Sequence, residues 1–268
     1  MLMRPQLGDT RMQYTPAPDP VLLKVREKII DLSLNRPAKK NALTREMYRS
    51  LVDGLKSAAA DEAVHVVVLR AEGDCFCAGN DLVDFSVAAQ DGLPRPGRLF
   101  LDTLSTFTKP IVAAVNGPAV GIGTTMLLHC DLVYAGSGAS FSVPFVNLGL
   151  CPEGASSLLL PGTIGLRRAA EMLLLGAPIS APTAKEYGLI NDLFPDESLL
   201  AEVFNRARQL AEQPLPAILL TKRLLRESRL RTVAETIDVE SRLFSQRLGS
   251  RAFRDACATF LHGSKSRV

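Results

Sequence analysis

What most narrows the fold of this chain is a repeated hand-over from short, uniformly apolar runs to helical segments. HVVVLR (65–70) and PIVAAV (110–115) are apolar at consecutive positions and read as buried-type strands. Each leads into a turn-rich loop, AEGDCFCAGND after the first and NGPAVGIG after the second. Helices are predicted after both: one outlined by Leu99, Thr103, Leu104 and Phe107, the other the apolar TTMLLHC. LVYAG and ASFSV follow as further strands. Upstream, VLLKVREKIIDLSLN reads as a hairpin turning at 26–28, and Thr44 is placed to cap a helix with Met47, Leu51 and Leu55 on one face. Strands alternating with helices imply a layered α/β domain. Beyond Pro161 six segments favour helix, among them LPAILLTKRLLRES (215–228) and VAETIDVESRLFSQRL (233–248), with NDLF as a lone short strand. The expected division is a flexible arm over 1–20, a core over 21–200 and a helical region over 201–268. Such a helical appendage packs across a subunit boundary, an expectation that a monomer in gel filtration would undo.

Composition excludes several classes. The net charge of +3 is spread along the chain, and the basic run TKRLLRESRLR (221–231) carries Leu at helical spacing, so a solvated helix face is expected and no nucleic-acid partner. The five cysteines lack paired spacing and a His-rich neighbourhood, which indicates neither disulfides nor a metal site. No apolar run reaches membrane-spanning length and the first residues lack a signal-peptide core, so a cytoplasmic protein is expected.

The chemistry gathers at the two loops and at one acid. Helix starts expose unpaired N–H groups and partial positive charge, and Gly79, Gly121 and Gly123 let a ligand approach the backbone. Two such amides, those of Asn80 and Ile122, converging on one oxygen would make an oxyanion hole. The loops are not a dinucleotide fingerprint, since GPAVGIG lacks the G-x-G-x-x-G order, and there is no Walker motif. Between Asp131 and Arg167 the single charged side chain is Glu153, in the segment FVNLGLCPEGASSLLL. A carboxylate in such company is costly to bury unless something pairs with it or uses it, and an apolar setting brings its pKa nearer working pH. Its alternative role is to cap the helix that begins near Gly154.

LNRPAKKNAL, FCAGNDL, NGPAVGIGTTMLLHCDLVYA and FVNLGLCPEG, in this order, resemble the crotonase superfamily, the enoyl-CoA hydratase/isomerase family, over about 21–260. The resemblance implies a crotonase-like spiral of ββα units with a helical C-terminal trimerisation region, homotrimers or pairs of trimers, and an acyl-CoA thioester held in the oxyanion hole. It implies no cofactor other than the CoA carried by the substrate. It places Lys39, Lys40 and Ala42 along the adenine and phosphates, and Ala78, Gly79, Asn80, Asp81 and Leu82 along the pantetheine and adenine. Lys265 is a candidate to reach a phosphate from a neighbouring subunit.

Hydratases of the family carry two glutamates that hold a water; the matching positions here are Thr125 and Phe145, neither of which can serve as a base. Glu153, in NLGLCPEG, falls where the peroxisomal-type Δ3,Δ2-enoyl-CoA isomerase branch places its catalytic acid. The resemblance therefore implies double-bond isomerisation, with an atypical hydratase or a catalytically silent acyl-CoA-binding homologue as alternatives. His129 is expected as a buried, hydrogen-bonded histidine, and neither it nor His65 receives a catalytic role. Ser156 and Ser157 lack a nucleophile elbow. Asp81 is expected to cap the following helix and Asp131 to pair structurally.

Overall fold

The computed structural model describes residues 19–84 and 96–263, so most of the expected N-terminal arm, most of the loop over 84–98 and Lys265 lie outside the described residues. Strands β1 (Val21–Arg26) and β2 (Ile29–Leu34) form the opening antiparallel hairpin, turning at Glu27. Next come the 3-10 turn Pro37–Lys39, helix α1 (Arg45–Ala60), β3 (Val66–Ala71), α2 (Pro96–Ser105) and β4 (Ile111–Val115). Then follow β5 (Ala119–Val120), α3 (Ile122–Thr125), β6 (Leu132–Gly136) and β7 (Ser140–Ser142). The C-terminal part contains α4 (Ser156–Ile164), α5 (Leu166–Leu175), β8 (Ile179–Ser180), α6 (Ala181–Tyr187) and β9 (Asp192–Phe194). It ends in α7 (Asp196–Ala211), α8 (Leu215–Leu248) and α9 (Arg251–Gly263).

The main sheet has the order β1-β2-β3-β4-β6-β9, parallel from β2 onward, and a small second sheet has the order β5-β7-β8. β4 passes directly into β5 and β6 into β7, so these two turns of chain each contribute one strand to each sheet before a helical segment, in the ββα pattern. Burial explains why the central strands are apolar throughout. Val67, Leu69, Ala113 and Val115 face α1 and α2, whereas Val66, Val68, Val112 and Ala114 face Leu199, Val203 and Ala207 of α7. A parallel sheet covered on both faces leaves no strand position for solvent. Residue 200, the expected end of the core, falls within α7, the helix that covers this second face.

Local signals set the helix ends. The Thr44 hydroxyl accepts the Met47 amide at 3.2 Å, capping α1, and Met47, Leu51 and Leu55 are buried. At its other end Lys109 Nζ donates to the Ala58 and Asp61 carbonyls, both at 2.7 Å, where a cation suits the helix dipole. Three helical expectations are corrected. α2 stops at Ser105, so Phe107 lies beyond it, and TTMLLHC is a short α turn followed by a 3-10 turn over Met126–His129. The two segments expected over 215–228 and 233–248 are one 34-residue helix, α8, because no glycine or proline interrupts 217–248.

The basic run on α8 is also not simply a solvated face. Lys222 is buried, its Nζ donating to Asp131 Oδ2 at 2.7 Å and to the Lys109 carbonyl at 2.6 Å. Arg226 Nη2 donates to Asp131 Oδ1 at 2.8 Å and to the His129 carbonyl at 2.6 Å. Asp131 therefore pairs structurally, as expected, and also accepts the Ile111 amide. Burial lowers the Lys222 ammonium to about 8, against the pull of Asp131. The remaining cations follow the solvated reading, with Arg223 and Arg231 exposed beside Glu227 and Glu235 one turn on. Among the described residues no helix is long and apolar enough to cross a membrane.

Candidate active site

Two loops lie side by side at the end of the main sheet. Cys77 and Ala119 form a parallel bridge, closed by the Cys77 amide on the Pro118 carbonyl and the Val120 amide on the Cys77 carbonyl. Beyond the bridge Gly79 still lies against the Val120 carbonyl, so the residues leading into Asn80 and into Ile122 stay close. Neighbouring amides are consumed: Ala78 by the Lys40 carbonyl, Asp81 by Leu43, Gly121 by Ser142, and Thr124 and Thr125 by Gly121. The amides of Asn80 and Ile122 have no acceptor among the described residues. Ile122 is buried, and a buried N–H without a partner is uncommon and calls for a reason.

The glycines make this approach possible. A Cβ on Gly123 would stand 2.6 Å from the Cys77 carbonyl oxygen and 2.9 Å from the Cys77 Cβ. One on Gly79 would stand 3.2 Å from the Val120 oxygen, and Gly79 also has φ +96, a region that disfavours side chains. Beneath the loops Cys77 is fully buried, and burial pushes its thiol up to about 12.

The segments expected to carry CoA are brought together as well. The Lys40 carbonyl accepts from Ala78 at 2.9 Å, and the Gly79 carbonyl accepts from Leu43 at 2.8 Å, so 39–43 runs alongside 78–81. Lys39 and Lys40 are exposed, while Ala42, Ala78 and Leu82 are half-buried. Asp81 is held in the local structure: its carboxylate accepts from the Val83 and Asp84 amides and from Arg36 Nη1 at 2.7 Å. Burial opposes its charge, but the Arg36 guanidinium and those amides outweigh it and lower its pKa.

Glu153 is half-buried, and the residue after it, Gly154, packs against Thr125 just past the second loop; its charge adds to the rise in the Tyr48 and Cys77 pKa values. It stands before a left-handed turn, Gly154 at φ +69 and Ala155 at φ +56. Alanine in that region costs about 1–2 kcal/mol, so other contacts must hold the turn. They come from two sides. His129 Nε2 meets the Gly154 carbonyl at 2.8 Å, and Glu240 of α8 accepts the Ala155 amide at 2.6 Å and the Ser157 amide at 2.9 Å. The amides at the start of α4 are thus met by Glu240, the role considered for Glu153. Since a carbonyl only accepts, Nε2 carries the proton, and burial holds the His129 imidazolium down at about 4, leaving the ring neutral.

Thr125 and Phe145 line the same region. Both are buried, Thr125 packing beside Gly154 and Phe145 meeting Phe244 edge-on at 6.3 Å between ring centres. His65 lies apart, its Nδ1 on the Ala211 carbonyl.

Three residues were missed from sequence. The Tyr48 hydroxyl, buried on α1, donates to Asn80 Oδ1 at 2.6 Å and so fixes the first loop. Its pKa is raised well above the usual value by burial first, then by the charges of Glu153 and Cys77. Asn41, at φ +53 and fully buried, donates to the Glu72 and Cys75 carbonyls and accepts the Arg36 amide, tying the lysine turn to the loop before Phe76. Glu240 did leave a signal, because it interrupts the buried stripe Val233, Ile237, Phe244 and Leu248 on one face of α8.

The model of the family described as Enoyl-CoA hydratase/isomerase matches residues 24–266. The chain belongs to that family. As an enoyl-CoA hydratase/isomerase family member it has the crotonase fold, and a crystal structure of an enoyl-CoA hydratase/isomerase from Pseudoalteromonas atlantica T6c superposes with a TM-score of 0.87. That protein is 39% identical, over 91% of this chain and 97% of its own. Enoyl-CoA delta isomerase 2 of Rattus norvegicus is 38% identical over 215 residues, 78% of this chain and 54% of the relative, so the chain spans about half of that protein's length. A 2,3-dehydroadipyl-CoA hydratase of Escherichia coli (strain K12) is 32% identical over 90% of this chain and 95% of its own.

Proposed function

We propose that the protein isomerises unsaturated acyl-CoA thioesters, moving a 3-enoyl double bond to the 2-position. The observation that carries this reading is that Glu153, the one charged side chain between Asp131 and Arg167, sits on a turn whose next residue, Gly154, packs against Thr125 just past the second glycine loop. In this reading the two amides receive the thioester oxygen and Glu153 takes a proton from C2. The C2–H pair moves into a dienolate whose negative charge rests on that oxygen. Glu153 then returns the proton at C4, and the double bond is left between C2 and C3. Each amide donor aimed at a developing oxyanion contributes about 3–4 kcal/mol. The apolar wall, Phe145 included, keeps water from the dienolate.

The similarity to delta isomerases supports this reading, while the hydratase relative makes water addition the competing one. Thr125 and Phe145 weigh against it, because neither supplies a carboxylate to activate water. A spectrophotometric comparison of 3-enoyl, 2-enoyl and 3-hydroxyacyl thioesters tests the choice. Turnover of the 3-enoyl thioester to a 2-enoyl product without hydration is expected; hydration of a 2-enoyl thioester as the main activity would replace this reading.

CoA would lie along 39–42 and 78–82, with the exposed Lys39 and Lys40 near its phosphates. Lys40→Ala is expected to weaken CoA binding several-fold at low salt and little at high salt, since exposed charges are screened over about 8 Å at physiological ionic strength. Equal binding by both proteins at low salt would leave Lys40 a solvated side chain. Leu220, Leu224 and Leu225, exposed on α8, support the expected trimer or pair of trimers.

A further inference from the structure

Beyond the acid itself, the turn that carries it has an arrangement of its own. The carbonyl of Gly154 and the amide of Ala155 are the two ends of one peptide unit. His129 Nε2 holds the carbonyl end at 2.8 Å, and Glu240 Oε2 holds the amide end at 2.6 Å. The second oxygen of Glu240 holds the Ser157 amide at 2.9 Å. Both clamps are buried, and both are themselves fixed. The backbone carbonyl of His129 is tied by Arg226, which is in turn anchored on Asp131. Glu240 sits on the same helix as Arg226, on a stripe of packed apolar side chains. A peptide plane gripped at both ends cannot rotate, which anchors the backbone one residue after Glu153. We infer that His129 and Glu240 are positioning residues that aim the Glu153 carboxylate at the two loops.

This inference rests on the proposed role of Glu153 and deepens it. A residue that merely stabilises the fold would change the amount of folded protein and leave the rate of each folded site unaltered. A positioning residue lowers kcat while substrate binding persists, because a misplacement of about 1 Å can cost on the order of 100-fold.

The test is kcat per folded site, with KM and acyl-CoA affinity, on whichever unsaturated acyl-CoA thioester the wild type turns over. Four single variants of the full chain are compared. Glu240→Gln puts an amide N–H against a backbone N–H, and His129→Leu removes the donor. Both are expected to lose at least tenfold in kcat with acyl-CoA affinity within threefold. His129→Gln, which keeps a donor at similar reach, should recover most of the loss. Glu153→Gln in the same assay separates the two readings. If it loses turnover while folded Glu240→Gln and His129→Leu keep wild-type kcat, the positioning inference alone is overturned. If Glu153→Gln keeps turnover, or the wild type is silent on every thioester, both are overturned. Should His129→Leu not fold, Glu240→Gln and His129→Gln carry the decision: wild-type kcat in folded Glu240→Gln overturns the inference.

Discussion

Glu153→Gln should abolish turnover, with kcat falling by about 10³-fold or more, while acyl-CoA binding stays within a few-fold of wild type. The amide keeps the size of the carboxylate and its capacity to accept a hydrogen bond, so the pocket is not reshaped. What it loses is a group able to take a proton from carbon and give it back, a contribution typically worth about 10²–10⁴-fold. The proposed reaction needs that group twice, once at C2 and once at C4, and the carboxylate next to Asn80, that of Asp81, is tied to Arg36 and to the Val83 and Asp84 amides. Steady-state kinetics on a 3-enoyl thioester, with affinity measured by calorimetry, reads both quantities. Undiminished turnover would remove Glu153 from the chemistry, whereas lost affinity at unchanged kcat would make it a binding group.

Gly123→Val should have the second largest effect, lowering kcat/KM by about 10²–10³-fold, the range seen when an oxyanion donor is lost. The first added carbon already falls 2.6 Å from the Cys77 carbonyl oxygen and 2.9 Å from the Cys77 Cβ. Backbone cannot rotate out of the way, so the loops must part, and the Asn80 and Ile122 amides part with them. Packing alone costs about 1–3 kcal/mol for such an insertion, so a lower Tm is expected too. Gly162→Ala in α4 is the control, since an added Cβ there meets nothing within 4 Å. It should leave the rate unchanged and the Tm equal or higher. Normal kinetics in folded Gly123→Val would contradict a hole formed by these two loops.

The parts of this molecule visible in its sequence are those encoded by neighbours. Alternating strands and helices, the Thr44 cap and the glycine loops each depend on a few consecutive residues. Glu153 stood out because 131–167 is otherwise uncharged inside its limits. What stayed hidden depends on contacts between distant positions. Glu240 reaches Ala155 across 85 residues, Lys222 reaches Asp131 across 91, and Tyr48 reaches Asn80 across 32. Charge runs are usually solvated, and that rule misled for Lys222 because its position on the buried side of α8 is set by tertiary docking. The joined α8 was hidden for a different reason. Its polar middle, RESRLRT, lacks a continuous apolar stripe, yet contains no breaker that would end a helix.

The thiol under the two loops bears on the product proposed for this site. A 2-enoyl thioester is a Michael acceptor, and a nearby thiolate would add to its C3 and end the working life of the site. Burial pushes the Cys77 pKa up to about 12, so the thiol stays protonated near neutral pH. In the proposed reaction, the burial that packs sulfur against the glycine loops thus also keeps that sulfur protonated beside the 2-enoyl product.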